Sequence, residues 1–182
     1  VDRLSNPTPP PPFKWRDEPG LLRCVIAGCA APTGEFQKLS DGTVRHYLPG
    51  CFDDTIAGVA SGEQVVELWF RHSPEYGVLA TTAGGTLCLS TGPEGLCFRA
   101  RLRDDETGRQ IVRRLLDGWL GCSCGYCAPE EQCLDGRHFG LIDGFLTEIS
   151  LTPDPAFCET SVRVEPLAGV SRNLLRQAIF GY

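Results

Sequence analysis

The chain has 182 residues, of which 42% are hydrophobic and 22% charged, with a net charge of -6. That length fits a single domain with a sizeable core, and the acidic balance argues against nucleic-acid binding, which needs a basic surface. No apolar run approaches the roughly 20 residues that cross a bilayer, and the opening VDRLSNPTPPPP lacks the apolar stretch of a signal peptide. The first residue is Val1 and there is no Met, as in a processed product or a fragment.

Residues 1–22 hold Pro7, Pro9, Pro10, Pro11, Pro12 and Pro19 and read as an extended leader. LLRCVIAGCA is apolar and glycine-bounded, as a buried strand is. DGTVRHYLPGCF reads as a short strand and a turn at Pro49-Gly50, and QVVELWFRH as a strand running to His72. YGVLATTAGGTLCLSTGPEGLCFRARLRD predicts three short strands with turns at Gly84-Gly85 and Gly92-Pro93. DDETGRQIVRRLLDG predicts a helix capped by Asp104 or Asp105. Its apolar stripe is Ile111, Val112, Leu115 and Leu116, and Gly118 stops it. WLGCSCGYC and FGLIDGFLTEISLTPDPAF return to strand character. The segment between them, EEQCLDGRH, reads as a polar loop with an exposed His138. NLLRQAIFGY predicts a short terminal helix.

Three residue types in this pattern carry a possible chemistry. Ser123 lies among small residues in GCSCGY, where a peptide backbone can approach closely. A serine hydroxyl needs a base and a group that orients the base. His72 ends an apolar strand. Glu148 is flanked by apolar residues in FLTEISL, so its carboxylate must be partly buried and must have a partner, catalytic or a structural ion pair. His46 reads as structural. Ten cysteines are many for a chain without a secretion signal. Those in apolar runs read as small buried hydrophobes in a reducing compartment. Cys122, Cys124, Cys127, Cys133 and His138 fall close enough together to raise zinc binding, although the spacing matches no common ribbon. If 122–126 is a strand, Cys122 and Cys124 face away from Ser123.

Four segments, in order, resemble the prohead (capsid-maturation) serine proteases of tailed phages. They are YLPGCF, RHSPEYGVLA, GPEGLCFRARLRDDETGRQIVRRLLDGWLGCSCGY and LTEISLTPDPAF. The resemblance covers about residues 23–165, between the leader at 1–22 and a helical tail at 166–182. It implies a mainly β fold with flanking helices (α+β), a closed β-barrel of the type shared with herpesvirus assemblins, often dimeric. It implies Ser123 as nucleophile, His72 as base and Glu148 as orienting carboxylate. In assemblins the third member is a histidine, which keeps His138 in view. The implied substrates are scaffold and major capsid protein segments and the protease itself, inside an immature shell in the host cell. No cofactor, metal, nucleic acid or membrane is expected. The competing readings are a non-catalytic shell or scaffold component with the same fold, and a zinc-stabilised cysteine-cluster binding module.

Overall fold

A computed structural model describes residues 18–38, 41–156, 160 and 162–181. Most of the proline-rich leader, residues 1–17, and Cys158 lie outside the described residues. The strands are β1 (Cys24–Pro32), β2 (Gln37–Lys38), β3 (Val44–Tyr47), β4 (Glu67–Phe70), β5 (Ala80–Thr81), β6 (Leu87–Gly92), β7 (Gly95–Ala100), β8 (Gly121–Asp135), β9 (His138–Thr152) and β10 (Val162–Pro166). The helices are α1 (Asp53–Ser61), α2 (Glu106–Leu116) and α3 (Arg172–Phe180). The fold is therefore mainly β with flanking helices, in two sheets. One is antiparallel in the order β10-β1-β7-β6, and the other runs β2-β3-β9-β4-β5 with β8 paired to β9. Neither sheet closes on itself in the strand pairing of the described residues.

The spine of the second sheet is β9. Antiparallel β8 runs along one edge, while β3 and then β4 lie parallel to it, β3 near its start and β4 near its end. Between those two contacts β9 has no strand neighbour on that edge, yet its backbone groups are met. The Gly144 N–H donates to the Cys51 carbonyl (3.0 Å), the Leu146 N–H to the Thr55 hydroxyl (3.2 Å), and the Leu146 carbonyl accepts from Gln64 Nε2 (2.9 Å). Thus the start of α1 and the segment after it close the gap, satisfying polar groups that would be costly to bury unpaired. That arrangement also sets where β4 begins, and hence where its C-terminal turn lands.

The core fills the space between the sheets. Ile26, Leu96, Phe98 and Ala100 come from the first sheet and Leu68, Leu146, Ile149, Leu151, Cys122 and Cys124 from the second. Each fully buried Leu or Ile contributes about 1.5–3 kcal/mol of transfer free energy. A hydrogen bond from Cys122 Sγ to the Cys29 carbonyl (3.1 Å) joins β8 to β1 across the seam between the sheets. Helix α2 is capped by Asp105, whose carboxylate accepts from the Gly108 N–H at 2.8 Å, and it buries Ile111, Val112 and Leu115. It packs near α3, with Arg113 Nε donating to the Ile179 carbonyl (2.7 Å).

Three sequence expectations change. Residues 127–138 form the outer part of a long hairpin rather than a polar loop, closed by a two-residue turn in which Gly136 takes φ 52°. The register shifts at several points there, so alternation is lost and sequence pattern alone reads it as irregular. His138 is not an exposed loop residue: it starts β9, half-buried, with Nε2 3.1 Å from His46 Nδ1. Helix α1, with Asp53 and Asp54 in its first turn and Gly62 at its end, was not anticipated.

Candidate active site

Strand alternation puts Ser123, Gly125, Glu148 and Ser150 on one face of the second sheet. In the β8–β9 register Ser123 lies opposite Ser150 and Gly125 opposite Glu148. Side chains directly opposite on antiparallel strands have Cβ atoms about 4.5–5.5 Å apart. On the other edge Glu67 lies beside Glu148 and Trp69 beside Ser150. The alternate residues Cys122 and Cys124 point into the core, where burial pushes both thiols up to about 12. They stay protonated at neutral pH and do not compete as nucleophiles.

The strand carrying His72 ends two residues earlier than the sequence implied, at Phe70. Arg71 and His72 form a tight turn with φ 55° and 56°, closed by the Ser73 N–H on the Phe70 carbonyl (3.2 Å). Two consecutive positive φ values are the mark of a type I′ turn, where Asn-Gly is the usual pair. Holding non-glycine residues there costs about 1–3 kcal/mol each. Three bonds to the scaffold offset that cost: Ser73 to Phe70, the Arg71 N–H to the Leu151 carbonyl (3.0 Å), and the His72 N–H to the Ser150 hydroxyl (3.0 Å). The turn swings the imidazole back over the sheet face.

There His72 Nδ1 meets Glu148 Oε1 at 2.7 Å. The carboxylate is buried, at 3% exposure, whereas the His72 side chain is 42% accessible. The second carboxylate oxygen, Oε2, accepts from the Ser150 hydroxyl at 2.7 Å. Since a carboxylate only accepts, Nδ1 donates in this pair, which in the neutral imidazole leaves the lone pair on Nε2. Gly125 makes room for the arrangement, because a Cβ at that position would overlap Glu148 Oε1 and sit 3.2 Å from its Cδ.

Of the three residues singled out from sequence, His72 and Glu148 are in direct contact. Ser123 is brought to the same face by register, 4% exposed, and among the described residues its hydroxyl makes no hydrogen bond to His72. Such contacts commonly tighten only when substrate binds. The histidine alternative is remote. His138 is ten residues from Glu148 along β9, roughly 30 Å at 3.3 Å per residue. Nor do the clustered cysteines converge: Cys127 and Cys133 are exposed on the hairpin while Cys122 and Cys124 are in the core. No group of three or more potential metal ligands occurs among the described residues. Two residues escaped the sequence reading although both lie in the motifs quoted, Gly125 and Ser150. The i, i+2 spacing of Glu148 and Ser150 in a strand was the available signal, since it places both on one face.

An imidazole held by a buried carboxylate, with a serine on the neighbouring strand, is the constellation of a serine hydrolase. The family model described as caudovirus prohead serine protease matches residues 17–171. The chain belongs to that family and is a serine protease of the prohead type. No curated protein and no solved structure matches it.

Proposed function

We infer that the chain matures a virus-type capsid by cutting scaffold and major capsid protein segments, and itself, inside the immature shell. Ser123 Oγ attacks the scissile carbonyl while His72 Nε2 takes the hydroxyl proton. The tetrahedral intermediate collapses, the C–N bond breaks, and the imidazolium gives that proton to the leaving amine. Water then attacks the acyl-enzyme with His72 again as base, releasing the acid and restoring Ser123. Glu148 fixes the imidazole tautomer and offsets the imidazolium charge throughout. Backbone N–H groups facing the oxyanion would each supply about 3–4 kcal/mol.

The observation that supports this most is the 2.7 Å contact between His72 Nδ1 and Glu148 Oε1 on the face that also holds Ser123. A shell component that had merely kept the fold would have no need to hold a strained histidine turn against a buried carboxylate. The barrel of the assemblin type is compatible with the hydrogen bond from the Cys122 thiol to the Cys29 carbonyl, which draws β8 to β1 where the two sheets meet. A homodimer is part of the same reading. The test is to incubate purified chain with assembled immature shells and follow scaffold and capsid protein by mass spectrometry. Defined cleavages that disappear with Ser123→Ala support the reading; intact scaffold with the unaltered chain, or identical cleavages with Ser123→Ala, refutes it.

A further inference from the structure

Among the described residues, Ser150 alone bonds to both members of the His72–Glu148 pair. Its oxygen accepts the His72 backbone N–H at 3.0 Å, and its hydroxyl lies 2.7 Å from Glu148 Oε2. The direction of each bond follows from the groups themselves. The backbone N–H can only donate, so Oγ accepts there. The carboxylate can only accept, so the single hydroxyl proton goes to Oε2. Ser150 is 0% exposed, so no bulk water competes for either bond. One side chain therefore ties the turn that carries the imidazole to the carboxylate that orients it.

Neither bond is replaceable by the surroundings as they stand. The His72 N–H lies in a turn of positive φ that the strand ladder does not reach. Glu148 Oε1 is committed to Nδ1, in the space that the missing Cβ of Gly125 leaves for it. With Oε2 held by Ser150, the carboxylate plane cannot rotate about its last bond without breaking a hydrogen bond in a dry site.

We propose that Ser150 is a positioning residue of the protease reaction, a clamp that sets the imidazole and the carboxylate in register with Ser123. It does not touch the substrate. This rests on the assignment of Ser123 and His72 given above. Removal of the hydroxyl should leave substrate binding alone and slow the chemical step, because only the alignment of the base changes.

The full chain would be titrated with a fluorophosphonate, giving a maximal inactivation rate and a half-saturating concentration, with the labelled residue mapped by peptide mass. Ser150→Ala should lower the maximal rate by roughly 10- to 100-fold and change the half-saturating concentration by less than about 3-fold. Ser150→Thr, which keeps the hydroxyl, should recover most of the rate. Should Ser150→Ala fail to fold, Ser150→Cys has similar size and only a weak donor, and should show the same loss in rate. A maximal rate equal to that of the unaltered chain in the Ala or Cys variant overturns the proposal. So does a loss carried by the half-saturating concentration, or a loss in Thr as deep as in Ala. Label found on Ser150 itself would overturn it too, making that residue the nucleophile. Failure of the underlying protease reading looks different: the unaltered chain would take no label, or Ser123→Ala and His72→Ala would label as it does.

Discussion

Replacing Gly125 by alanine is the sharpest perturbation available, because it adds one methyl group at a known place. Gly125 has no positive φ, so alanine meets no backbone strain, and an alanine is better tolerated in a strand than glycine. The new Cβ would overlap Glu148 Oε1 and lie 3.2 Å from both Glu148 Cδ and Thr147 Oγ1. Relieving that overlap moves the carboxylate by about 1 Å, which stretches the 2.7 Å bond to His72 Nδ1 beyond hydrogen-bonding range. A charge-assisted bond of this kind is worth about 1.5–3 kcal/mol, or about 10- to 150-fold in rate at 1.4 kcal/mol per tenfold. The assay is kcat and KM on a peptide spanning a mapped scaffold junction, with a thermal melt in parallel. The loss should fall on kcat. Glu148→Ala removes the obstacle, so Gly125→Ala should cost almost nothing more in that background, a coupling as large as the single effect. A Gly125→Ala protein with unaltered kcat, or one that loses equally in both backgrounds, would refute the reasoning.

Other consequences follow from the same geometry. His72→Ala should lower kcat by several orders of magnitude, as loss of a triad base does, whereas His138→Ala, roughly 30 Å away by strand length, should leave it within about 3-fold; equal losses would mean the base is misassigned. His46 is held below its ordinary value by burial and then by His138 beside it, so the folded state binds fewer protons there than the unfolded one. Its contribution to stability is complete above about pH 6.5 and is lost as pH falls through its folded value. The Tm should therefore drop between about pH 7 and pH 5, and His46→Gln should flatten part of that drop; an identical pH profile in the variant would contradict it. Leu151→Ala empties a fully buried site on β9 and should cost about 2–5 kcal/mol by denaturant titration; a cost below 1 kcal/mol would mean that the core is not built as described.

The regular parts of this fold are legible in sequence for plain reasons. Ile111, Val112 and Leu115 mark one face of α2, and Asp105 sits where a cap belongs. β1, β6, β7 and the end of β9 are apolar runs between glycine-rich turns. Where the signal is tertiary, reading fails. Helix α1 is rich in small residues and owes its place to bonding the open edge of β9 through Thr55. The distal hairpin loses its alternation to bulges, so Cys127 to Asp135 look like a loop. The site divides in the same way. Ser123, His72 and Glu148 stand out as residue types in quoted motifs, but the turn at Arg71-His72 does not. No residue type there favours positive φ, and two bonds to β9, with the turn's own Ser73–Phe70 bond, hold it. Ser150 and Gly125 look like filler in a strand until the register sets each against its partner.

The central claim is that Ser123 is a nucleophile activated by the His72–Glu148 pair. It is tested most directly by treating the purified chain with a serine-directed phosphonate and reading the intact mass, followed by peptide mapping. One adduct per chain, located on Ser123 and lost in both Ser123→Ala and His72→Ala, is the expected result. No adduct at all, an adduct on another serine, or labelling of Ser123 that persists undiminished in His72→Ala would contradict it.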